Sequence, residues 1–180
     1  MLEFMEVATS VLALVAGVGA VLLVVAFGVG DRVPVMASTA RAVHARRAAL
    51  TFAVAAVSTV GSLYFSEVAD FVPCRLCWFQ RIAMYPIAVI ALVALLRRDR
   101  GARFYTVPLA AIGACISVYH YLIEWGVLDD TDSCSLFGPA CADVWFRRFG
   151  FVTLAFMALC GFVAIIALNL VPAPRSEEDS

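Results

Sequence analysis

The sequence predicts an all-α integral membrane protein: a four-helix transmembrane bundle preceded by one additional N-terminal transmembrane helix. Hydrophobic residues make up 63% of the chain and charged residues 15%, whereas soluble globular chains average roughly 45–50% and 25%. Five apolar runs are each close to the ~20 residues a helix needs to cross the hydrocarbon. None of them alternates in the ten-residue pattern of a membrane β-strand. Five spans consume most of the 180 residues, leaving short loops and tails too small for a second folded core.

The first run is Val7–Val29. It follows Glu3 and Glu6 with no basic residue, exceeds the roughly 7–15 residues of a signal-peptide core, and precedes no small-residue cleavage site. It is therefore expected to remain as a permanent helix. The next runs are Ala48–Glu67, Trp78–Leu96, Phe104–Trp125 and Phe149–Val171. Pro86 and Pro108 are expected to kink the third and fourth spans, and Gly17 and Gly19 to let the first pack closely. The chain thus divides into residues 1–47 (first span and loop), 48–171 (four-helix core) and 172–180 (tail).

Arginines fix the expected orientation. Arg32, Arg41, Arg46 and Arg47 crowd the first connection, and Arg97, Arg98, Arg100 and Arg103 the third. Basic residues at span ends stay cytoplasmic, which places the second and fourth connections outside the cytoplasm, the N-terminus out and the C-terminus in. The expected location is the cell membrane. Trp78, Phe79, Trp125, Trp145, Phe146 and Phe149 then fall where an interfacial aromatic belt belongs. Ala142–Phe149, mixing aromatics with Arg147 and Arg148, is expected to lie on the surface as a short amphipathic helix. The formal charge of −1 gives no sign of nucleic-acid binding.

Both outer connections carry cysteine pairs, on the face where disulfides persist. The first pair is the C-x-x-C of Cys74 and Cys77. Pro73 suits the first turn of a helix, so both sulfurs are expected near its positive end, where thiolates are favoured and exchange is fast. Half of a zinc site is the other reading of C-x-x-C, but the six-residue gap between Cys134 and Cys141 fits a metal set poorly, and no metal is expected. Arg81 shares a helix face with Cys77. It either snorkels to the headgroups or stabilises negative charge on the Cys77 sulfur and on a quinone oxygen. Cys134 and Cys141 close a short ring, either a structural clip or an exchangeable disulfide. Cys115 and Cys160 lie at similar depth near the midplane and are expected to be inert packing. His120, between Tyr119 and Tyr121, either bonds to a neighbouring helix or donates to a quinone carbonyl.

The run Pro73-Cys74-Arg75-Leu76-Cys77-Trp78-Phe79-Gln80-Arg81-Ile82-Ala83-Met84-Tyr85-Pro86, then Tyr119-His120-Tyr121, Cys134, Cys141 and Phe149-Gly150-Phe151-Val152-Thr153, resembles the DsbB family of disulfide bond formation proteins, nearest its shorter BdbC-like branch. The resemblance covers about Ala48 to Val171. It implies a four-helix redox bundle that takes part in the DsbA–DsbB–quinone chain, which keeps a bacterial periplasm oxidising. A DsbA-like extracytoplasmic dithiol protein would attack Cys134, and Cys141 would pass the electrons to Cys74. Cys77 would meet the quinone, ubiquinone or menaquinone, beside Arg81, with His120 near it. The helix before Ala48 is an addition to that core, and the short gap between the loop cysteines limits how far they can swing toward Cys74.

Three other readings fit parts of the chain. A relative of vitamin K epoxide reductase would normally place its loop cysteines before the membrane C-x-x-C, whereas here they follow it. A CcdA-like exporter of reducing equivalents would use Cys115 and Cys160 as its working pair. A non-catalytic membrane scaffold would keep the outer disulfides as structure only.

Overall fold

The computed structural model describes residues 1–29, 34–99, 101–129 and 139–170, with the side chains of 26–41 left aside. The described backbone is helical apart from short connections and one isolated antiparallel bridge, Arg148 with Val152. Five helices follow in order: α1 Leu2–Val29, α2 Pro34–Glu67, α3 Arg75–Arg97, α4 Arg103–Glu124 and α5 Leu154–Leu170. The first four contain stretches long and apolar enough to cross a membrane, and α5 is a shorter apolar helix.

Two boundaries differ from the sequence expectation. The second apolar run begins at Ala48, but α2 begins at Pro34. The segment 35–47 contains neither glycine nor proline, so nothing stops the helix where it becomes polar; apolarity marks entry into lipid, not the helix start. The fifth run begins at Phe149, but α5 begins at Leu154. Phe149 and Gly150 both take positive φ, 54° and 80°, and Val152 N–H returns to Arg148 O at 2.8 Å. Two successive left-handed residues make a tight reversal that no helix continues through. Thr153 then opens α5, its Oγ1 accepting from Phe156 N–H at 3.3 Å, as an N-cap does.

The helices α2, α3, α4 and α5 form a ring in which each packs on the next and α5 closes back on α2, while α1 lies outside along α5 and scarcely touches α2. The core between them is Ala55, Ala83, Met84, Ile87, Ala110, Phe162 and Ile165. Phe162 is wholly buried because α4 offers it Gly113, where any Cβ would overlap the ring. At the end remote from the dithiol, Asn169 Nδ2 donates to Thr51 Oγ1 at 2.9 Å, joining α5 to α2. Pro86 and Pro108 both lie inside helices. On α1, Gly17 meets Cys160 and Gly19 has no neighbour within 4 Å.

Candidate active site

The dithiol sits where α3 begins. Cys74 is the N-cap, its sulfur accepting from Cys77 N–H at 3.4 Å, and Pro73 stands just before the cap rather than inside the first turn. Cys74 is 4% exposed. Its thiol donates to Cys77 Sγ at 3.3 Å. That hydrogen bond first, and burial second, push the Cys74 thiol up to about 12. This corrects the expectation of a lowered value at both sulfurs: a pair in contact shares one proton, and it stays on Cys74.

The fourth connection comes back over this end. Cys141 is buried in one cluster with Cys74, Leu76 and Ile123, against which Cys77 also packs. The loop sulfur is thus already seated beside the dithiol, and the short gap to Cys134 imposes no swing on it. Cys134 lies outside the described residues. The expected amphipathic helix over Ala142–Phe149 is absent; this stretch runs as turns and extended backbone. Its side chains are anchored in different directions instead. Trp145 stacks on Phe71 with centroids 4.8 Å apart, Arg147 donates to Glu124 O at 3.1 Å and covers the Trp125 ring at 4.3 Å, and Arg148 pairs with Glu6.

His120 lies on the Cys74 side of the dithiol. Its Nε2 stands 3.2 Å from Cys141 O and 3.7 Å from Cys74 Sγ. A carbonyl only accepts, so Nε2 carries the proton. Its Nδ1 is buried without a hydrogen-bond partner among the described residues. Glu124, one helical turn on, approaches Nε2 to 3.9 Å and accepts from Thr153 Oγ1 at 2.6 Å. Glu124 was not among the expected site residues, although a carboxylate four residues after a span histidine is a legible signal.

Arg81 lies on the opposite side, beside Cys77. It is 8% exposed, which removes the snorkelling reading. Its Nε donates to Ser62 Oγ at 3.0 Å and its Nη2 to Ser62 O at 3.1 Å, with Trp78 at 5.2 Å from the guanidinium carbon. Among the described residues it makes no ion pair. It borders a cavity of about 440 Å3, whose other polar lining includes Cys77, Gln80, Ser58, Ser62 and Thr9, and whose apolar lining comes from α1, α2, α3 and α5. Phe65, Phe71 and Trp145 close its dithiol end. His120 is not among the lining residues.

The ligand atoms of Cys74, Cys77 and His120 lie within 4.8 Å of one another. Tetrahedral zinc with bonds of about 2.3 Å would hold two thiolates about 3.8 Å apart, wider than the 3.3 Å hydrogen-bonded thiols here. The arrangement suits sulfur exchange better than metal binding. Cys115 and Cys160 are not brought together: Cys115 is exposed on α4, while Cys160 is buried with its sulfur toward Gly17 of α1, and α1 makes no packing with α4.

A membrane helix bundle holding an N-cap dithiol, a third cysteine packed against it and a buried arginine defines a membrane thiol-disulfide oxidoreductase. The profile of the family described as "Disulfide bond formation protein DsbB" matches residues 44–172, and the chain belongs to that family. It is 41% identical over 115 residues to the "Probable disulfide formation protein C 1" of Bacillus anthracis, covering 64% of this chain and 83% of that one. It is 40% identical over 128 residues to the "Disulfide bond formation protein C" of Bacillus subtilis, covering 71% and 93%. A "Probable disulfide formation protein" of Deinococcus radiodurans is 37% identical over 134 residues, covering 70% and 88%. No solved structure matches.

Proposed function

We propose that this protein is a quinone-dependent thiol oxidase that reoxidises a DsbA-like, thioredoxin-fold disulfide donor outside the cytoplasm and passes the electrons to ubiquinone or menaquinone in the cell membrane. One observation carries the reading: Cys77 and a buried arginine that makes no ion pair among the described residues border the same apolar cavity. A cation in that setting is costly without a partner of opposite charge, and the cavity suits an apolar ligand with one polar end. Bound there, a quinone supplies the acceptor for two electrons and two protons.

The residues divide the work. A donor thiolate attacks Cys134 of the Cys134–Cys141 disulfide, breaking the sulfur–sulfur bond and releasing Cys141. The Cys141 thiolate attacks Cys74 of the Cys74–Cys77 disulfide, and Cys77 leaves as thiolate beside Arg81. The donor's second thiol releases the donor as a disulfide, and Cys134 re-forms its bond to Cys141. Cys74 departs with a proton and shares it with Cys77, the arrangement seen at 3.3 Å. Arg81, fixed by Ser62, holds negative charge at the cavity end. We assign His120 to the sulfurs rather than to the ring: its Nε2–H bonds the Cys141 carbonyl and edges Cys74, seating the attacking cysteine. The second and fourth connections face outward in this reading, with the N-terminus out and the C-terminus in.

The test is an anaerobic assay of the purified whole chain with a reduced thioredoxin-fold dithiol protein and decylubiquinone or menadione. Quinone absorbance is expected to fall with the native protein and to hold steady with Cys77→Ser. No quinone loss with the native protein, or native rates with Cys77→Ser, would overturn the reading.

A further inference from the structure

The helix outside the family match is built into the cavity. The profile match starts at residue 44, and the Bacillus subtilis relative is matched over 93% of its length, leaving too little for a further span. Yet α1 supplies Thr9, Leu12, Ala13, Val15 and Ala16 to the lining. Its seating is fixed along one stripe at helical spacing. Glu6, 6% exposed, receives Arg148 through Nη2 at 2.6 Å and Nε at 2.9 Å. One turn on, Ser10 is wholly buried and faces Met157 Sδ at 3.8 Å. Further along, a Cβ on Gly17 would stand 3.0 Å from Cys160 Sγ, and Ala20 packs on Ala164 and Ala167.

All these anchors reach α5 or the turn before it, and α1 scarcely meets α2. The cavity lies between them. Leu12 and Val15 on α1, and Val57 on α2, line it while remaining 55%, 65% and 53% exposed. It is therefore a cleft whose head is Cys77 and Arg81 and whose lips, α1 and α2, stand apart toward lipid. A ring at the head leaves a prenyl tail one apolar exit, between these lips.

Resting on the quinone reading above, we propose that α1 forms with α2 a groove for the prenyl tail of the quinone, so that this added helix sets how strongly the tail contributes to binding. The ring end depends on α3, and the tail end on α1.

The test compares decylubiquinone with tail-less ubiquinone-0 on the whole chain in nanodiscs, using Ala16→Phe and Leu12→Trp to fill the groove. KM for the tailed quinone is expected to rise about tenfold or more, with KM for the tail-less one within about twofold of native. Equal effects on both quinones, or none, would overturn the proposal. If the native chain reduces neither quinone, the oxidase reading itself fails. Activity with ubiquinone-0 reports folding, and a tail-azido ubiquinone on the unmodified chain gives an independent readout. Photolabel on peptides of α1 and α2 supports the groove, and label confined to α3 and α4 overturns it.

Discussion

At the scale of single residues, the site separates two sulfurs three positions apart by what each touches. Cys74 keeps its proton to about 12 because it donates to Cys77 and is buried, so the fully reduced chain at pH 7 is expected to be alkylated by iodoacetamide at Cys77 before Cys74. Peptide mapping by mass spectrometry checks this, and first modification at Cys74 would contradict it. Arg81 makes no ion pair among the described residues, so its charge is available to an acceptor. Arg81→Ala is expected to lower quinone turnover about a hundredfold, the scale of one lost oxyanion donor, while in a Cys141→Ala background the Cys134 thiolate still opens the disulfide of the oxidised donor protein and holds it as a mixed disulfide. The motif residues were legible because C-x-x-C and an arginine one turn later have few innocent explanations in a membrane. The Glu6–Arg148 pair was not, because unlike charges distant in sequence become a pair only once α1 and the turn before α5 meet.

At the scale of elements, hydropathy located the five helices but not their ends. The boundary of α5 follows from local chemistry: the reversal at Phe149-Gly150 and the Thr153 cap. Thr153 also donates to buried Glu124. Thr153→Val removes both interactions and is expected to cost about 1–3 kcal/mol, with Thr153→Ser near native; thermal unfolding in detergent compares them. The approach of α4 to α5 depends on Gly113 beneath Phe162. Gly113→Ala is expected to destabilise by about 1–3 kcal/mol through overpacking, and Phe162→Leu in the same chain to restore part of it. Additive losses in that double variant would show that the two residues do not press on each other. The amphipathic helix expected over Ala142–Phe149 fails for a related reason. Aromatic and arginine side chains there are claimed by Phe71, Trp125 and Glu6, and those anchors outweigh a weak helical pattern.

At the scale of the whole molecule, the parts converge on one end of the bundle, where the loop cysteine, the dithiol and the head of the cavity meet. Arginine placement predicts that this end faces outward. A chain whose sole cysteine is Cys134 is expected to react with a membrane-impermeant maleimide in intact spheroplasts; labelling only after lysis would reverse the orientation. Family, helix count and dithiol were open to sequence reading, whereas the cavity and the place of α1 on it needed the packed chain. The order of electron flow is tested most directly by giving the reduced chain one equivalent of quinone without air, then mapping disulfides after an acid quench. A chain with Cys134 and Cys141 replaced by serine should form the Cys74–Cys77 bond, and a chain with Cys74 and Cys77 replaced should form none. Rapid formation of a Cys134–Cys141 bond in the second chain would contradict the relay.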